Sequence, residues 1–64
     1  MTPAEYRIAL ADLGLSQVGA AKLFGVHERT SRRWAAGDLD IPQGVAIALR
    51  LMIRFDATPP ERDS

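Results

Sequence analysis

Apolar residues recur along this chain at helical spacings, and no stretch alternates apolar and polar residues as a half-buried strand requires. Tyr6, Leu10 and Leu13 fall four and three residues apart with Ala9 beside them, which predicts a first helix with one buried face. Its start has the form of a capping box. In Thr2-Pro3-Ala4-Glu5 the threonine can accept from the Glu5 amide, the glutamate can reach back to the Thr2 amide, and proline takes the first helical position. Gly14 predicts a left-handed stop, with Leu15 as the apolar contact just past it. Ser16 is a good N-cap for a second helix running to about Phe24. Gly25 and Val26 form the next turn, a third helix runs from about His27 to Ala36, and Gly37 ends it. After the linker Gly37-Asp38-Leu39-Asp40-Ile41, Pro42 reads as the first residue of a fourth helix that continues to about Phe55. On its wheel Val45, Ala48, Leu49, Met52 and Phe55 face the core, Gln43, Arg50 and Arg54 mark the wet side, and Ile47 and Ile53 flank that wet side.

These elements predict an all-α fold of four short helices in one domain, residues 1–55. The remaining segment, DATPPERDS, has paired prolines, charges and no apolar period, and reads as a disordered tail over residues 56–64. A chain of 64 residues buries only about 60% of its unfolded surface, so a dense helical core or a partner is needed for stability. The apolar fraction of 47% is adequate for such a core.

Cysteine is absent, which excludes a disulfide frame and a thiolate zinc site and makes a reducing cytoplasm the expected compartment. The longest apolar run, Val45 to Leu49, is far below the roughly 18 residues of a membrane span, and the N-terminus lacks a basic-then-apolar signal layout. His27 is the single histidine, with neither cysteines nor a clustered acidic pair to join it in metal binding or catalysis. No nucleophile and base pair, phosphate loop or ligand set is visible, so neither an enzyme, nor a cofactor, nor a small-molecule ligand is expected.

The second and third helices carry the most specific pattern. Ala20, Ala21, Phe24, Val26 and Trp34 supply an apolar side for the pair, and Ala21 is small enough to let the helices cross closely. The other side of the third helix holds Glu28, Arg29, Arg32 and Arg33, long polar groups able to reach base edges and phosphates. At fixed offsets stand Leu15-Ser16-Gln17, Ala21, Gly25-Val26, Thr30, Arg33-Trp34 and Gly37, with Pro42 opening the next helix. In this pattern the chain resembles the Cro and lambda-repressor-like helix-turn-helix family, the xenobiotic-response-element family of small bacterial and phage regulators. The resemblance implies a compact lambda-repressor-like domain whose second and third helices form a DNA-reading helix-turn-helix.

It also implies roles for particular residues. Gln17 would bond a phosphate and brace the polar residue at the start of the reading helix, here Glu28. Glu28 and Arg29 occupy base-contacting positions, Arg33 another, and Thr30 belongs to the same DNA-contacting set. Arginine can bond O6 and N7 of guanine, and glutamate can accept from the N4 amine of cytosine, so the pair fits a half-site containing G·C. Read on its own, Glu28 could instead stabilise the helix start and pair with Arg32 at i+4, silent about sequence. Arg32 points more toward the flanking backbone, and Trp34 is a core anchor rather than a stacking platform.

Three departures stand out. Ser31 occupies a position where the family buries isoleucine or valine, so its hydroxyl is expected to bond a backbone carbonyl. His27 replaces the usual serine or threonine N-cap, which should leave the start of the reading helix less well fixed. Asp38 and Asp40 are acidic where family members often set phosphate-binding groups.

The net charge of zero argues against nucleic acid until its distribution is examined. Residues 1–55 hold seven Lys and Arg against five Asp and Glu, a net +2, and the segment His27 to Ala36 is itself +2. The expected function is a sequence-specific double-stranded DNA-binding regulator, a repressor. The alternative is a protein-interaction or antitoxin-like adaptor on the same bundle. One reading helix is too small a footprint for specific affinities of about 10⁻⁸–10⁻¹¹ M, so a homodimer on an inverted repeat is expected. The family's further helix has no counterpart beyond helix four, which leaves Leu39, Ile47 and Ile53 as the expected dimer contacts.

Overall fold

The computed structural model describes residues 1–55, and the expected tail lies outside the described residues. Helices α1 (Pro3–Leu13), α2 (Gln17–Phe24), α3 (Glu28–Ala36) and α4 (Gln43–Arg54) follow one another with no strand among the described residues. None of the four is long and apolar enough to cross a membrane.

Local chemistry sets the helix ends. The Thr2 hydroxyl accepts from the Glu5 amide at 3.1 Å, and the Glu5 carboxylate accepts from the Thr2 amide at 2.7 Å, completing the box with Pro3 at the first turn. Gly14 takes a left-handed backbone, its amide bonds the Ala11 carbonyl, and the Leu15 amide reaches back to Leu10 at 2.8 Å. The Ser16 hydroxyl accepts from the Gly19 amide at 2.9 Å and starts α2. Gly37 ends α3 at φ 89°, and a side chain there would also press on the Pro3 ring, 3.3 Å from the position of its Cβ. Pro42 proves to be the residue before α4 rather than its first, a shift of one position.

α1 is the central helix, packed on both α3 and α4, and α2 joins the bundle mainly through α3. The core is built from Tyr6, Ala9, Leu10 and Leu13 of α1, Ala20 of α2, Trp34 and Ala35 of α3 and Leu49 of α4. Leu15, Phe24, Val26, Ile41, Val45 and Met52 close over it, half-buried. At its centre the Tyr6 and Trp34 rings meet edge to face, with centroids 5.9 Å apart and planes at 84°. Such a contact contributes about 0.5–1.5 kcal/mol beyond the area it buries.

The Tyr6 hydroxyl and the Ser31 hydroxyl, both buried, bond each other at 2.6 Å. This corrects the expectation for Ser31, whose partner is a side chain 25 residues away and not a carbonyl of its own helix. An apolar residue at position 31 would leave the Tyr6 phenol unsatisfied. Burial raises the Tyr6 phenol above its ordinary pKa, and the Ser31 bond opposes that shift. Arg7 makes a second tie between α1 and α3, its guanidinium donating to the Ala35 carbonyl in the last turn of α3. Carbonyls at a helix end lack partners within the helix, so a cation placed there satisfies one and complements the dipole.

Helix α4 departs most from its expected wheel. Phe55, expected in the core, lies just past the last helical residue and is 69% exposed, while Ala46, not assigned to the core, is buried beside Leu49. Ile53 shares the face of Leu49 four residues before it, so its exposure reflects the end of the helix rather than a separate face.

Two consequences can be measured. Ser31→Ala leaves a buried phenol without a partner and should destabilise the domain by about 1–3 kcal/mol, whereas adding Tyr6→Phe removes the orphan. In denaturant unfolding the double variant should lose less than the sum of the single ones; strict additivity would show that the hydroxyls are uncoupled.

The second concerns acid. The Glu5 carboxyl is held below its ordinary value, chiefly by the Thr2 amide and then by the Thr2 hydroxyl. A carboxylate lowered in the folded state contributes stability that is present at neutral pH and is lost as pH falls through its folded-state pKa. Glu5→Gln keeps the shape of the cap without the charge. Taken from about pH 7 to about pH 3, the melting temperature of the natural chain should fall toward that of the variant. A gap that stays constant over that range would exclude the carboxylate from the cap's stability.

Candidate nucleic-acid interface

The turn between α2 and α3 is three residues long. Gly25 adopts φ 68°, a conformation that L side chains resist, and the following Val26 amide reverses onto the Ala21 carbonyl at 2.9 Å. Val26 packs against the core, and His27 follows it as the N-cap of α3. The imidazole Nδ1 accepts from the Arg29 amide at 3.1 Å, and the His27 carbonyl accepts from the Thr30 amide at 2.9 Å. The ring therefore does the work of a hydroxyl cap. The start of α3 is fixed, contrary to the expectation from the loss of serine or threonine.

Nine residues of α3 divide cleanly between two faces. Ser31, Trp34 and Ala35 are buried, and Thr30 is half-buried at their edge. Glu28, Arg29, Arg32, Arg33 and Ala36 are exposed. Successive positions turn by about 100°, so the exposed face splits into two i,i+4 pairs on either side of Ala36: Glu28 with Arg32, and Arg29 with Arg33.

The first pair is an ion pair, Arg32 Nη2 to Glu28 Oε1 at 3.5 Å, with both side chains about half exposed. Exposed pairs of this kind contribute about 0–1 kcal/mol, weak enough for a phosphate to compete for the arginine. The second pair has no acidic partner among the described residues, so two guanidiniums one helical turn apart stand free on the surface. Gln17 is half-buried at the start of α2, and among the described residues no hydrogen bond joins it to Glu28. Glu28 is held by Arg32 instead, as in the second of the two readings that its sequence position allowed.

The surroundings carry both signs. Lys22 is exposed near the end of α2, and Asp38 and Asp40 are exposed in the linker directly after α3. Leu39, Ile47 and Ile53 are all exposed, by 38% to 46%. Among the described residues no three His, Cys, Asp or Glu side chains are grouped so that they could hold a metal ion.

Sequence reasoning placed Tyr6 on the buried face of α1 but missed the two bonds that orient α3 from behind, Tyr6 to Ser31 and Arg7 to the Ala35 carbonyl. A signal existed for the first: Tyr6 and Ser31 are each a hydroxyl on an otherwise apolar helix face, and two such groups in one small core have to find each other. No protein-family model, curated protein or solved structure matches the chain.

Proposed function

We propose that the protein is a sequence-specific double-stranded DNA-binding regulator, a repressor, in which α2 and α3 act as a helix-turn-helix and α3 reads the major groove. The observation that carries this is the division of α3. Its inner face is locked to α1 through Trp34 and Ser31, and its outer face presents Arg29 and Arg33 unpaired and in line. A helix of nine residues is about 14 Å long and fits a major groove about 12 Å wide.

In this reading Arg29 and Arg33 take guanine O6 and N7, and Thr30 lies at the edge of the contact. Arg32 exchanges Glu28 for a phosphate, and the released Glu28 accepts from the N4 amine of a cytosine. Gln17 and the free amides at the start of α2 take a phosphate on the flanking strand. Two copies on an inverted repeat set their reading helices about 34–36 Å apart, one turn of duplex, and repression follows from occupying the site. Specificity then comes from two or three base contacts per copy, and affinity from phosphates and pairing.

A protein-interaction or antitoxin-like adaptor is the second reading. It is favoured by the exposed Asp38 and Asp40 beside the end of α3, which would repel a phosphate backbone.

Binding of duplex DNA as a function of salt separates the two readings. DNA binding should weaken steeply with salt through release of counterions. On a preferred site, Arg29→Ala and Arg33→Ala should each lose about 1–3 kcal/mol of discrimination, whereas Gln17→Ala should weaken all sequences alike. Full retention of specificity by both arginine variants would exclude this face as the reader.

A further inference from the structure

The start of α3 is held by a group that can take up a proton. Arg29 stands in the first turn of the helix, and among the described residues its amide has one partner, the His27 Nδ1 at 3.1 Å. The next two amides are served differently, since Thr30 and Ser31 both donate to the His27 carbonyl, at 2.9 and 3.4 Å. A ring nitrogen accepts only through a free lone pair, and an imidazolium donates from both nitrogens. The bond to Arg29 therefore requires Nδ1 without a proton. A serine or threonine cap carries no such condition, because its hydroxyl accepts at any pH near neutrality.

The charges around the ring offer an imidazolium little compensation. On α3 itself stand Glu28, Arg29, Arg32 and Arg33, and Glu28 is engaged by Arg32 at 3.5 Å. The charged group of α2 is Lys22, those of α1 are Glu5, Arg7 and Asp12, and α4 holds only Arg50 and Arg54. Glu5 closes the cap of its own helix, Arg7 bonds Ala35 at the other end of α3, and Asp38 and Asp40 follow that same end. Among the described residues no carboxylate stands within ion-pairing distance of the ring. A proton on His27 thus removes the acceptor and sets a cation against the positive end of the helix dipole. We infer that His27 is a positioning residue for Arg29, and that its proton decides whether the chain reads the base under Arg29. The reading of a base rests on the function proposed above; the proton-dependent cap does not.

The consequence is local. Ser31 and Trp34 stay anchored on Tyr6 whatever the state of the ring, so the helix persists beyond its first turn and Arg33 keeps its place. Arg29 depends on the ring for its turn and loses its place when the ring lets go. An imidazolium also adds a positive charge beside the duplex, which favours contact with any phosphate. Discrimination and affinity therefore move apart as pH falls: generic binding is kept or gains, while the preference for the base under Arg29 is lost. General unfolding would lower both. Glu5 is held below its ordinary value and stays ionised down to about pH 5, so the cap of α1 does not contribute over this span.

The base pair under Arg29 is the one at which Arg29→Ala loses preference. Discrimination between a preferred duplex and one altered at that base pair is measured from about pH 8 to about pH 5, the span in which imidazoles change charge. The natural chain should lose about tenfold in this ratio without losing its binding of generic duplex. His27→Ser, capped by a hydroxyl, should hold the ratio level, and Arg33→Ala should keep the pH dependence. A ratio that stays level in the natural chain, or that falls equally in His27→Ser, would overturn the role of His27. In the free protein the Cα chemical shifts of Glu28 and Arg29 should move from helical toward coil values over the same span, those of Ser31 to Ala36 should not, and neither set should move in His27→Ser. Such a movement in a protein that binds no duplex would overturn the DNA reading and leave the proton-dependent cap standing. Shifts of Glu28 and Arg29 that stay helical at about pH 5 would overturn the cap itself.

Discussion

The contact of Tyr6 with Trp34 and Ser31 decides which way α3 faces. A nine-residue helix has too few turns to hold its orientation by general apolar burial, and a rotation by one position would turn its exposed face by about 100°. The edge-to-face ring contact fixes Trp34, and the hydroxyl bond fixes Ser31 three positions before it. Two anchors of different chemistry on one helix leave a single rotation that satisfies both. Arg7 adds a bond to the Ala35 carbonyl, so α1 grips the C-terminal half of α3. With that rotation set, Arg29 and Arg33 point outward for the same reason that Trp34 points inward.

This arrangement also shows how a chain of zero net charge can present a cationic surface. Two of the five acidic side chains among the described residues are occupied close to home. Glu5 closes the cap of α1, and Glu28 pairs with Arg32 on α3. Neither faces Arg29 or Arg33, and local sign rather than total charge governs what an approaching phosphate meets. The exposed Asp38 and Asp40 limit how far the cationic surface extends beyond α3 and give it a sharp boundary.

Helix ends were the most legible part of the sequence because each is a short-range event. Thr2, Ser16, Gly14, Gly25 and Gly37 act on neighbours within a few residues, and the structure follows them closely. The apolar face of α1 was equally plain, since Tyr6, Ala9, Leu10 and Leu13 leave no competing face. Helix α4 was harder. Its segment from Val45 to Met52 is apolar on nearly every side, so the period does not distinguish a face turned to the core from one turned to solvent, and Phe55 was misplaced inward. The partner of Ser31 and the role of Arg7 depend on contacts 25 and 28 residues apart, which local pattern does not encode. At the candidate site, sequence supplied the residue types, while the packing behind α3 supplied their grouping into a paired Glu28 and Arg32 and an unpaired Arg29 and Arg33.

The central claim is that the outer face of α3 reads duplex DNA. Selection of bound sites from a random duplex library by the natural chain tests it most directly, because binding, base preference and half-site spacing are reported together. An enriched inverted repeat with guanine in each half-site, the halves centred about one helical turn apart, is the outcome this account requires. A pool that shows no common motif after selection with folded protein would contradict it.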